Sequence, residues 1–503
     1  MALQRRLSPP PPPLVSLLPA LALVPLLVVV LGDGHAGGVE QIGRFWLAAL
    51  HPSLEPSLLL HQLRALQITT LTALLGWSLS SLVGLGLGVI SSTTIWRTLV
   101  SMRWPAVLVR RVLAPLRAIH ELIWGLLLLQ IFGLNGWVAV LAIVVPYSAL
   151  LARVVADQLD RHQPPALVAL QCAGASPLIN LLTALMPAVA TTLRDHIGHR
   201  LDCALRSALL LGVFGLGGLG TELMLSLQSL RFREMWTGLW LMAGVLVLVN
   251  AVVRRLSALR GLRLIVLIVP MVGLLWSQGV EHDLSLPRLI GWGGRPALSG
   301  LVAQLGRALS EAAWLELIVG TLMITVLAAG VAIGLPPLLR LLAPGKTAGP
   351  ILRFAWMLLR LLPAPLTALL LLLSSKPTLA LAALALGLHH SGVMGLVFEE
   401  GLERSDGRQY QAMLTTGAGA RSAWLYGVLS PASARYLAYA AYRSDVILRD
   451  TAVVGLVGGA GLGWQLMEAL SSFHWALVTW LIVVYAGLTI TGEMVCDRLQ
   501  EIR

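Results

Sequence analysis

RLDCALRSALLLGVFGLGGLG, residues 200–220, and RSDVILRDTAVVGLVGGAGLG, residues 443–463, decide how this chain is to be read. Both carry R-x-D-x-x-x-R followed by a glycine-rich turn, and they stand 243 positions apart. The same offset pairs Arg117 with Arg360, Ser148 with Ser391, Gly174 with Gly417 and Leu223 with Leu466. An offset held over so long a stretch leaves no net insertion, which marks a duplicated unit. Two copies of a membrane unit in one chain commonly have a path between them.

That the unit belongs in lipid follows from composition. Of 503 residues, 57% are hydrophobic and 12% charged, with mean hydropathy +0.81. A soluble domain carries roughly 25% charged residues, so this chain could not cover itself with a hydrated surface. The net charge of +12 fits Lys and Arg retained on cytoplasmic loops. Nucleic acid is not the expected partner, because basic runs interleaved with aromatics are absent. Cys172, Cys203 and Cys496 form no C-x-x-C pair and read as packing residues.

A span needs about 20 apolar residues. Such stretches lie near 14–31, 66–90, 118–132, 137–156, 185–211 and 235–253 in the first half. The second half offers 262–276, 313–335, 351–374, 378–398, 432–457 and 475–494. The expectation is about ten to twelve helices, of which 185–211 and 432–457 carry charges. Arg5-Arg6, a proline run and the apolar stretch 14–31 resemble a signal peptide. Followed by so many further spans, they read instead as a first membrane helix with its amino end inside.

Orientation follows from the arginines. Arg97, Arg103, Arg110, Arg111, Arg153 and Arg161 then face the cytoplasm, as do the junction arginines Arg254, Arg255, Arg260 and Arg263 and the region 404–408. Residues 277–311, with Glu281 and Asp283, fall outside. Both termini are expected to be cytoplasmic. Six helices per half return the chain to its starting side, so the repeats are parallel. The fold expected is an all-α polytopic membrane protein of two tandem parallel repeats, residues 1–255 and 256–503, with about six transmembrane helices each.

Two motifs carry function. The first lies between the fourth and fifth spans of each half: VALQCAGASP, residues 168–177, reaching Pro187, and QAMLTTGA, residues 411–418, reaching Pro431. Each reads as a short helix with small side chains, a glycine break, and an apolar helix re-entering the membrane. Small residues and glycine let a partner approach the backbone closely, which suits a knob that transmits force from a soluble partner. The second motif is the R-x-D-x-x-x-R line. Asp202 and Arg206 are four apart and can pair on one helix face, as can Asp445 and Arg449. Charges inside a span cost a few kcal/mol each and face a cavity or one another. Arg200 and Arg443 are left over, and their excess positive charge would favour an oxyanion in transit. The alternative is a salt-bridged lock between helices with no substrate contact.

The first motif resembles the E-A-A-x-x-x-G…L-P coupling loop of ABC importer permeases, which in that family docks on the ATPase subunit. The Glu position is Val168 in one copy and Gln411 in the other, and the proline slips by one residue in the second. The second motif resembles the fifth-helix signature of phosphonate-type permeases within that family. Together the matching segments run over 117–223 and 360–466. Methionine-type permeases share the glycine-rich turn, so the Arg/Asp pattern carries the discrimination.

The resemblance implies a fused pair of permease units of the type I ABC importer kind in a bacterial inner (plasma) membrane. It further implies two separate ATPase subunits, an extracytoplasmic substrate-binding protein, and a small phosphorus oxyanion (phosphonate, phosphite or phosphate) as cargo. It assigns ATPase coupling to Ala169, Leu170, Gly174 and Ala175 and to Ala412, Met413, Gly417 and Ala418. It assigns the permeation path or gate to Arg200, Asp202, Arg206, Gly217 and Gly218 and to Arg443, Asp445, Arg449, Gly459 and Gly461. No cofactor or metal is expected, and ATP hydrolysis is expected elsewhere. An ion-coupled secondary transporter is the rival, but it would want more acidic residues within the membrane than Asp202 and Asp445.

Other signals are discounted. Residues 215–220 fit G-x-G-x-x-G without the βαβ context a dinucleotide site needs. Gly345-Lys346-Thr347 mimics the tail of a phosphate-binding loop, but Arg340 stands where its first glycine belongs. His196 and His199 correspond to Tyr439 and Tyr442, so no metal site is duplicated. His389 and His390 are adjacent and point to different faces of a helix.

Overall fold

The computed structural model describes residues 12–161, 165–258, 298–343, 348–403, 407–457 and 461–501. The stretch 262–276, most of the segment 277–311, Arg260, Arg263, Arg404, the Gly345-Lys346-Thr347 tripeptide and Gly459 lie outside them. Among the described residues every regular element is helical. Among these described residues seven helices are long and apolar enough to cross a membrane, or up to ten if each bent helix pair is counted as one span. Ser430–Asp450 is not among the seven, because it carries Arg435, Arg443, Asp445, Arg449 and Asp450.

The chain packs as two compact units, Phe45–Ala297 and Met1–Arg44 with Leu298–Arg503. In the first, Pro56–Ile90 lies along Gly136–Arg161. Glycines on the longer helix make this contact close: a Cβ on Gly88 would stand 2.5 Å from that of Val155. With lipid on the outside, helices gain little from hydrophobic association, and small residues that let backbones approach supply the packing instead. Phe232–Ala258 pins the loop before Pro56–Ile90: Trp236 Nε1 donates to the Phe45 carbonyl (2.7 Å), Trp240 Nε1 to Ala49 (3.1 Å) and Arg233 Nε to His51 (2.8 Å).

In the second unit Trp314–Leu342 packs along Leu379–Glu403. The amino-terminal span Leu14–Gly32 belongs here: a Cβ on Gly330 would meet Ala22 Cβ at 2.5 Å. The compact units therefore do not follow the ranges 1–255 and 256–503 at the amino end. A wholly apolar helix carries no polar face to specify its neighbour, and the small-residue groove of Trp314–Leu342 makes that choice.

Element bounds recur at the sequence offset. Trp104–Ala118 meets Glu121–Phe132 at a bend of 88°, and Ala348–Leu361 meets Ala364–Leu372 at 89°. Pro165–Cys172 is answered by Arg408–Thr415, and Phe232–Ala258 by Trp475–Glu501.

Candidate functional site

Each segment expected to couple is a two-turn helix closed by a glycine. In the second, Gly417 has φ +85°, its N–H bonds the Leu414 carbonyl (3.0 Å) and the Ala418 N–H bonds that of Met413 (3.2 Å). This is the paired closure of a Schellman end, which needs a left-handed residue after the last helical turn. The first shares the left-handed glycine and the longer of the two bonds: Gly174 has φ +74°, and the Ala175 N–H bonds the Leu170 carbonyl (3.1 Å). A Cβ on either glycine would meet nothing within 4 Å. The glycine is thus required within the chain by its backbone angle, since no neighbouring group crowds it. Ala169, Gly174, Ala412 and Gly417 are exposed, while Leu170, Ala175, Met413 and Ala418 are half-buried. The small faces therefore stand available to a partner in both copies. Asn180, itself buried, donates to the Ala175 carbonyl (3.0 Å) and holds the first knob to the helix that follows.

That following helix contains one turn of π-helix, Leu181–Leu185 in the first copy and Leu425–Leu429 in the second. Pro187 and Pro431 each stand two residues beyond. A proline offers no N–H to the carbonyl four residues back, and the ladder relaxes into the wider turn. The one-residue slip of the proline between the halves moves the π turn with it.

Farther along, the R-x-D-x-x-x-R residues come together as the four-residue spacing predicts. Arg206 Nη2 lies 3.2 Å from Asp202, and Arg449 pairs with Asp445. Both aspartates are buried. The leftover arginines meet groups that the sequence did not single out. Arg200 lies over the Tyr147 ring, 5.6 Å from its centroid, and the Tyr147 hydroxyl reaches Ser207 (2.8 Å), which donates to Glu121 (2.5 Å). Arg443 donates from Nε to His390 Nδ1 (3.0 Å), and His390 Nε2 lies 3.0 Å from Asp450. Glu493 adds a further carboxylate 3.9 Å from Arg449. The excess positive charge expected from the motif is therefore offset by Glu121 in one unit and by Asp450 and Glu493 in the other. Ionisable groups in low dielectric gather partners in this way.

The glycine-rich turn that follows is held by a threonine in each unit. Thr69 Oγ1 accepts the Leu219 N–H (2.8 Å) and Thr321 Oγ1 accepts the Leu462 N–H (2.9 Å). Each hydroxyl donates in turn to the carbonyl four residues back on its own helix, Ala65 and Leu317. Gly218 (φ +80°) and Gly461 (φ +86°) let the turn reach the hydroxyl; a Cβ on Gly461 would stand 2.9 Å from Thr321 Oγ1, and one on Gly218 would clash with Thr69. Gly217 has φ +88° and open space around its Cα. Neither threonine was found from sequence, because Thr69 and Thr321 lie 252 positions apart, outside the constant-offset block. Tyr147 and His390 do lie at that block's offset, in step with the arginines they hold. Their alignment was the available signal.

Comparison with curated proteins finds relatives of one kind. A putative cryptic phosphonate transport system permease protein of Escherichia coli (strain K12) is 33% identical over 118 residues, 24% of this chain and 97% of that protein. A putative phosphite transport system permease protein of Stutzerimonas stutzeri is 33% identical over 138 residues, 27% of this chain and 53% of the relative. A phosphate-import permease protein of Mycolicibacterium smegmatis is 24% identical over 452 residues, 84% of this chain and 83% of the relative. The chain spans about half the length of two phosphite-transport relatives from Stutzerimonas stutzeri. No family model matches, and no solved structure matches.

Proposed function

Because the chain belongs to the permease family of phosphonate, phosphite and phosphate transport systems, we propose that it is the membrane-spanning subunit of an ABC importer for a small phosphorus oxyanion. The observation that carries this reading is the doubled coupling knob, exposed and closed by the same glycine end in both units. A helix end held at fixed backbone angles can transmit displacement; a frayed one would absorb it.

In this reading the two halves, 1–255 and 256–503, are parallel repeats with both termini in the cytoplasm, and each knob docks on one of two ATPase subunits. The chain hydrolyses no ATP itself. An extracytoplasmic binding protein delivers the anion. Closure of the ATPases swings the coupling helices, and each turn at Gly218 and Gly461 moves with the helix bearing its arginine. The buried pairs Asp202–Arg206 and Asp445–Arg449 keep those helices neutral within the membrane, and Arg200 and Arg443 supply donors to the anion.

The test is uptake of labelled phosphate, phosphite and methylphosphonate into right-side-out vesicles carrying the intact system, with co-purification of an ATPase on the tagged chain. The expected result is ATP-dependent uptake of at least one of the three. Uptake driven by an ion gradient without ATP, or a chain that captures no ATPase, would sink the reading.

A further inference from the structure

We propose that His390 is a positioning residue that aims Arg443 at the transported oxyanion; the inference rests on the importer reading above. His390 is fully buried on Leu379–Glu403, and its ring bridges Arg443 and Asp450. Because Nδ1 accepts the Arg443 Nε–H, it carries no proton; the proton of the neutral ring is on Nε2, which lies 3.0 Å from the Asp450 carboxylate without hydrogen-bond alignment. The Arg443 bond thereby selects the tautomer of the neutral ring.

The consequence falls on the guanidinium. Among the described residues Arg443 is held through Nε alone, and its Nη donors make no hydrogen bond or ion pair. A guanidinium gripped at Nε presents the outward Nη edge as a planar fork, the geometry that meets two oxygens of a phosphorus oxyanion. Arg443 and Arg449 stand against Asp445, Asp450 and Glu493, so no net positive charge is left, and the anion is met by directed donors and not by a net field. At the matching position of the other unit, Tyr147 offers Arg200 a ring face, which attracts a cation.

The test uses the full system in right-side-out vesicles, with three substitutions at His390 and one at Arg443. An Asn carbonyl oxygen stands as many bonds from Cβ as Nδ1 does, whereas that of Gln matches Nε2. His390→Asn is expected to keep phosphate uptake within about threefold of the parent, and His390→Gln and His390→Leu to lose about tenfold or more, the effect of a lost charge-assisted bond. Combined with Arg443→Gln, the Leu substitution is expected to add nothing to the loss from Arg443→Gln alone. Co-purification of the ATPase checks assembly. If the Leu variant fails to assemble, the contrast of Asn with Gln still decides. Equal uptake by the Asn and Gln variants, or additive losses in the double variant, would overturn the positioning role while leaving the importer reading intact. A parent that takes up none of the three oxyanions sinks both.

Discussion

Arg200 lies over the face of Tyr147, whereas Arg443, at the same place in the second half, gives its Nε–H to the buried ring of His390. The acid behind each ring also differs. Glu121 is reached through Ser207 in the first unit, from the far arm of the 88° bend. In the second unit Asp450 stands beside Arg449 on the arginine's own helix. Ala364 replaces Glu121, and Asp450 replaces Ser207, so the carboxylate has moved to the other side of the ring. Both solutions meet the same requirement, that a charged group in low dielectric be partnered. They differ in the group that meets the arginine: a ring face in one unit and a ring nitrogen in the other. The charge is kept at the same sequence offset while its surroundings change.

The comparison breaks most completely if both arginines are dispensable. Reversing the charge at both, Arg200→Glu with Arg443→Glu, should reduce oxyanion uptake to background while the ATPase still co-purifies, because the knobs lie on other elements. Unimpaired transport would return both residues to a purely structural role. Next in size is the coupling end. Gly174→Val with Gly417→Val forces a β-branched residue into left-handed backbone at roughly 1–2 kcal/mol or more per site, and should release the ATPase. Asn, which tolerates that backbone, should retain it; equal loss with Asn would point to crowding by the partner instead of backbone angle. The single arginine substitutions sharpen the comparison: Arg443→Gln should lower uptake about tenfold, as loss of a charge-assisted donor does, with Arg200→Gln measured beside it. Equal losses would make the two halves functionally alike. Smallest are the threonine latches. Thr69→Val or Thr321→Val strands one buried N–H, a cost of about 1–3 kcal/mol. Amide exchange at Leu219 or Leu462 should speed up about tenfold or more in the unit that is altered and stay unchanged in the other.

Much of the candidate site's local geometry was legible in the sequence. The coupling knobs, the Asp–Arg pairs and the glycine turn depend on local spacing, and a helix of 3.6 residues per turn converts spacing into contact without further information. His390 was legible too, at the offset of Tyr147, yet adjacency to His389 made it look like one of two unrelated faces. Thr69 and Thr321 were not: an amide is latched by whichever hydroxyl the packing delivers, and the helices that deliver them sit outside the constant-offset block. The placement of Leu14–Gly32 was hidden for a related reason, because apolar side chains are interchangeable in lipid.

Sequence by itself determined that the chain lives in a membrane, that its central unit occurs twice, and which short segments end in glycine, since these rest on composition and near-neighbour periodicity. Tertiary structure decided which unit receives the first helix, which ring holds each arginine and which acid answers it. Those choices turn on where distant helices approach within bonding distance, and the approach is set by the small residues that let backbones close.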